Sequence, residues 1–138
     1  MSIQLDNKDL INPQQMEVAV NGPDGATHLI LCAGVAELSP AGCETYTFLV
    51  GPQISRRQFV GAIASGALSG IQGSEGYSNK DNVDVKLEAN LISIYANYDD
   101  EAGQVKITIE VSSSKSMTKL GISYHVSILA ELLVLRFA

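Results

Sequence analysis

Ile92-Ser-Ile-Tyr-Ala-Asn-Tyr98, then Asp99-Asp-Glu-Ala-Gly103, then Val105-Lys-Ile-Thr-Ile-Glu-Val111 are the three runs that decide the fold. In the third, apolar residues at 105, 107, 109 and 111 alternate with Lys106, Thr108 and Glu110, the period of two that a half-buried strand needs. The first run alternates likewise, and the acidic, glycine-ended stretch between them is hairpin-loop chemistry. Two antiparallel strands joined by a short loop follow.

Upstream of this hairpin the alternation changes phase. Val83, Val85, Leu87, Ala89 and Leu91 share odd parity, whereas Ile92, Ile94, Ala96 and Tyr98 share even parity. A one-residue slip turns every later side chain to the other face, so a single strand through this region requires a bulge or bend near Leu91.

Downstream, Ser112 to Thr118 is a polar connection. Ile122, Tyr124, Val126 and Ile128 then alternate with Ser123, His125 and Ser127 as another antiparallel strand. The terminal stretch from 129 to 138 is apolar except for Glu131 and Arg136; it reads as strand continuing past a bend, although period alone does not separate this from a short helix. Towards the amino end, Met16 to Val20 alternates, Asn21-Gly-Pro-Asp-Gly25 supplies a turn, and His28 to Leu38 resumes as an apolar run, which together spell a hairpin. Residues 1 to 15 are polar and contain Pro13, as an edge strand or ordered arm does. Thr45-Tyr-Thr-Phe-Leu-Val50, between Ser39-Pro-Ala-Gly42 and Gly51-Pro52, is β-branched and aromatic enough for a further strand. Gly73 to Asn82 reads as a loop.

Residues 55 to 71 read differently. Phe59, Ile63, Ala67 and Ile71 lie four apart, with Val60, Ala64 and Leu68 adjoining, and Ser55 stands where an N-cap belongs; the spacing predicts a helix. Glycines 61, 66 and 70 each cost about 1 kcal/mol of helix propensity relative to alanine. Ala62, Gly66 and Gly70 would form a bare stripe suited to close packing on a sheet or on a second copy. The expected architecture is therefore α+β to mainly β: one domain over 1 to 138, an antiparallel sheet or sandwich of six to eight strands, and one helix at about 55 to 71.

Composition narrows the functional classes. The 138 residues are 46% hydrophobic but only 17% charged, against about 25% charged in an average soluble domain. Few charged side chains are left to cover a monomer, so self-association is expected. Fifteen acids outnumber nine scattered basic residues, giving a net charge of −6, which argues against a phosphate backbone as partner. No apolar run reaches the roughly 18 residues of a membrane helix and no basic-then-apolar leader opens the chain; a soluble protein, cytoplasmic or part of an assembled particle, is expected.

Chemistry-bearing motifs are sparse. Ser55-Arg-Arg-Gln-Phe-Val60 resembles the twin-arginine export motif of bacterial signal peptides, but about fifty strand-patterned residues precede it. Arg56 and Arg57 suit an anion site or, more plainly, a solvated or salt-bridged pair. His28 and His125 have no partners at metal-ligand spacing, and Cys32 and Cys43 define no disulfide framework. Asp81, Asp84 and Asp99-Asp100-Glu101 lack the glycine and distal glutamate of a calcium loop. No nucleophile elbow or phosphate loop occurs. No catalytic residue, metal or cofactor is therefore expected.

The leading expectation is a non-catalytic structural or interaction protein that binds itself, with Ala62, Gly66 and Gly70 as subunit contacts. A module binding a small anionic or apolar ligand through Arg56, Arg57, His125 and Tyr124 is the alternative. A third reading is an acidic inhibitor or immunity-type protein facing a basic partner.

Overall fold

A computed structural model describes residues 2–22, 25–73, 88–113 and 117–132. These form eight strands in two four-stranded sheets. The strands are β1 (Ser2–Gln4), β2 (Leu10–Gly22), β3 (Gly25–Leu38), β4 (Cys43–Val50), β5 (Phe59–Gly73), β6 (Ala89–Asp99), β7 (Gln104–Ser113) and β8 (Met117–Leu132), with one 3-10 turn at Asn7–Asp9. The first sheet runs β1-β4-β7-β6 and the second β2-β3-β8-β5; every pairing is antiparallel except the short parallel one of β1 with β4.

The two sheets form a sandwich because alternate residues of their four central strands are apolar and face one another. Val105, Ile107, Ile109 and Val111 of β7 and the even-numbered residues of β8 from Leu120 to Ala130 are buried, joined by Ile30, Cys32, Ala36 and Leu38 of β3 and Tyr46, Phe48 and Val50 of β4. Each large aliphatic or aromatic side chain so placed stabilises the fold by about 1.5–3 kcal/mol relative to leaving it in water. The rings of Phe48 and Tyr124 meet edge-on, centroids 5.0 Å apart, across the two sheets.

The hairpins expected from the sequence are present. Between β6 and β7 the Asp99 carboxylate accepts from the Glu101 amide at 3.0 Å, and Gly103, at φ +66°, turns the chain while its amide donates to the Asp99 carbonyl. The phase change also appears where expected: the register slips between Leu91 and Ser93, so Ile92 has no partner, and Ala89 and Leu91 before it and Ile94, Ala96 and Tyr98 after it pack on the core. β8 continues as strand to Leu132. The alternation over 83–87, most of the loop from Gly73 to Asn82 and the stretch 133–138 lie outside the described residues.

The expected helix at 55 to 71 is not there. The chain makes a single turn, in which the Ser55 amide donates to Gln58 Oε1 and the Ser55 carbonyl accepts from the amides of Gln58 and Phe59, and then extends as β5 along β8. The start signal is helical for one turn only. Register slips between Phe59 and Gly61 and between Leu68 and Gly70 hide the strand period in this stretch, and once β8 offers an unpaired edge, ladder hydrogen bonds favour the extended form over a helix weakened by three glycines.

Candidate interaction surface

The turn before β5 places the arginine pair at one end of the sandwich. Segment 51–58, which crosses from one sheet to the other, is tied to the β6–β7 loop: the Ile54 amide donates to the Gly103 carbonyl, Tyr98 Oη to the Ile54 carbonyl at 2.6 Å, and Gln104 Nε2 to the Gly51 carbonyl at 2.7 Å. Arg56 thereby lies over the Tyr98 ring, 5.4 Å from its centroid, and 3.6 Å from the Asp100 carboxylate. With side chains 66% and 73% exposed, that ion pair contributes at most about 1 kcal/mol. Arg57 is exposed and makes no ion pair among the described residues.

The other expected site residues are not gathered with the arginines. Tyr124 points into the core and His125, its neighbour on β8, out of the opposite face. Ala62 and Gly66 lie on the inner side of β5, which packs against β6; a Cβ on Gly66 would meet Ile94 Cδ1 and the Ser123 carbonyl at 3.1 Å. Gly70 stands opposite Gly121 on β8. The small residues on the inner side thus let two edge strands approach across the sandwich. Of the described residues, no three from His, Cys, Asp and Glu come together to hold a metal ion, and no helix is long and apolar enough to cross a membrane.

A different surface emerges from the registers. On the outer side of the second sheet, Met16, Leu31, Ser127 and Ile63 form one row across all four strands, and Val18, Leu29, Leu129 and Gly61 form the next. Ile63 and Met16 are 76% and 62% exposed; Val18, Val20, Leu31, Val60 and Leu129 are exposed too. Polar groups bound the patch. Glu131 pairs with Thr27 beyond one end, while His125, Ser65 and Ser123 precede the Lys119–Glu37 ion pair, 3.1 Å, towards the other.

At the β2–β3 end the usual polarity of a sandwich is inverted. β1, the edge of the first sheet, is only three residues long, and every β2 side chain described beyond Leu10 is exposed. On the core-facing parity, buried Ile30 gives way to His28, whose Nδ1 lies 2.6 Å from Glu17 Oε1, with Gln15 beside them in register opposite Cys32. On the outward parity stand Met16, Val18, Leu29 and Leu31. The apolar side therefore faces away from the protein's own core.

The pKa shifts belong to the interior. Burial pushes the Tyr46 phenol well above its ordinary value, helped by its hydrogen bond to Glu44 Oε2 at 2.9 Å and by that carboxylate's charge. Burial likewise raises Cys32 and Tyr124, the latter also through proximity to Cys32. Comparison with protein-family models, curated proteins and solved structures gave no match.

Proposed function

We propose that this chain is a non-catalytic, self-associating structural or interaction protein whose contact surface is the outer face of the β2-β3-β8-β5 sheet. The observation that carries the reading is the inverted polarity of the β2–β3 hairpin, which leaves a polar-rimmed apolar surface spanning four strands in water, the kind of patch that marks an interaction site. A second copy is the occupant that suits it. The two central rows hold no Asp, Glu, Lys or Arg, so chains of net charge −6 can meet there with their charges kept at the rim. Met16 and Ile63 protrude at the two edges of the first row, with small Ser127 beside Ile63 and Gly61 at the same edge of the next row, giving knobs and hollows that a two-fold axis brings together. Sheets packed face to face lie about 10 Å apart and exclude water as the interior of the sandwich does.

The test is sedimentation velocity from low to high micromolar concentration on the wild type and on a Met16→Glu/Ile63→Glu variant. The wild type should associate and its melting temperature rise with concentration. The variant should remain monomeric with an unchanged circular dichroism spectrum. A wild type that is monomeric throughout, or a variant that assembles as the wild type does, would overturn the proposal.

A further inference from the structure

Three local irregularities converge at the hydroxyl of Tyr124. The β2–β3 register slips between Ile11 and Gln14, where Asn12 takes a left-handed φ of 50° and Pro13 can donate no ladder hydrogen bond. On β3 the residue between their partners is Gly34, which is also the register partner of Tyr124 on β8. With no side chain on Gly34, the phenol lies over its backbone: a Cβ there would come within 2.7 Å of Tyr124 Oη. Tyr124 is only 2% exposed, its ring held by Phe48, and its hydroxyl has no hydrogen-bond partner among the described residues.

Tyr124 lines a cleft of about 230 Å³ beside the bulge, together with Cys32, the apolar Leu10, Pro13 and Leu49, and the uncharged polar Gln14. The ring is buried but the hydroxyl is not sealed from solvent: among the described residues no fully buried side-chain polar atom lacks a partner, so this unpartnered donor opens on the cleft and is available to a molecule bound there. The bulge and the glycine both make room for it.

We infer that the cleft binds a small uncharged molecule with an apolar body of roughly one aromatic ring and an oxygen that accepts a hydrogen bond from Tyr124. The size follows from the volume, since an apolar cavity of about 150 Å³ already takes up benzene. Neutrality follows from the lining, which contains no Asp, Glu, His, Lys or Arg to pair with an ion. The carbonyl or similar acceptor follows from the phenol. This site is separate from the outer sheet face and independent of self-association.

Benzamide is a suitable probe, with benzoate as its charged counterpart, followed by ligand-observed and amide-resolved NMR titration of the intact chain. Benzamide should bind saturably, shift amides centred on Cys32, Leu49 and Tyr124, and bind about five- to tenfold more weakly to Tyr124→Phe, which loses the donor alone; benzoate should bind at least about tenfold more weakly than benzamide. No saturable benzamide binding, shifts centred away from these residues, equal affinity in Tyr124→Phe, or benzoate binding as tightly as benzamide would each overturn the assignment. Because the shift map is read on the wild type, it decides the matter even if the variant does not fold.

Discussion

Gly34 and Tyr124 are register partners on adjacent strands, and the tyrosine hydroxyl occupies the space that any side chain at position 34 would fill. Phe48 braces the ring, so the phenol cannot swing aside freely. Gly34→Ala should therefore destabilise the fold by about 1–3 kcal/mol, the usual cost of overpacking. Urea titration followed by circular dichroism measures this, and a variant as stable as the wild type would mean that the tyrosine yields.

Gly66 and Ile94 approach one another where β5 packs across the sandwich on β6. Gly66→Val should lose about 1–3 kcal/mol of stability, and adding Ile94→Ala should restore part of it, with a coupling energy of about 0.5–3 kcal/mol in the double-mutant cycle. Strictly additive losses would argue against this contact.

Alkali should unfold the protein earlier than its acidic composition suggests. Tyr46, Tyr124 and Cys32 all hold their protons more tightly folded than unfolded. Above about pH 9 the unfolded chain ionises these groups first and binds fewer protons than the native state, so stability falls with rising pH; below their unfolded values the three have no effect. Denaturant midpoints should be insensitive to these groups from neutral pH to about 8 and then decline. In Tyr46→Phe the decline should be shallower by up to one proton; an unchanged slope would show that Tyr46 does not contribute.

The two thiols should react at different rates. Cys43 is exposed, whereas Cys32 is buried in the core with its thiol pushed towards the protonated form. Under native conditions a maleimide should label Cys43 first and Cys32, a wall residue of the cleft whose thiol stays protonated, far more slowly; equal rates, followed by mass spectrometry, would contradict the burial of Cys32.

How far the sequence carries can be seen at Ile92 and at Ile63. The phase change around Ile92 is visible because parity is a property of one strand alone, so the bulge needed no knowledge of its neighbours. Ile63 misleads. Phe59, Ile63, Ala67 and Ile71 satisfy the helical spacing, whereas in β5 the register slips at Phe59/Gly61 and Leu68/Gly70 divide them between the two faces; Ser55 with Gln58 does build the first turn that a helix would begin with. Only the free edge of β8, a long-range feature, separates the two outcomes. The opposed directions of Tyr124 and His125 also follow from parity. The apolar rows do not, because Met16, Leu31, Leu129 and Ile63 come from four separate strands and become neighbours only through register. For the cleft the local marks were there: Pro13 inside a strand and Gly34 inside an apolar run both signal an irregular or closely approached backbone. Their meeting at Tyr124 required the pairing.

The unpaired Ile92 also fixes how this region tolerates changes in length. The β7 partners run on without a gap, Val111 opposite Leu91, Glu110 opposite Ser93 and Ile109 opposite Ile94, so Ile92 is the extra residue that reconciles two phases of β6 with one phase of β7. Removing it would leave Ala89, Leu91, Ile94, Ala96 and Tyr98 in a single unbroken alternation on the core-facing side. Substitution at Ile92, which is exposed, should pass almost unnoticed, and deletion of the same residue should be absorbed by closing the bulge. Position 92 is thus a point at which β6 can shorten without any side chain changing face.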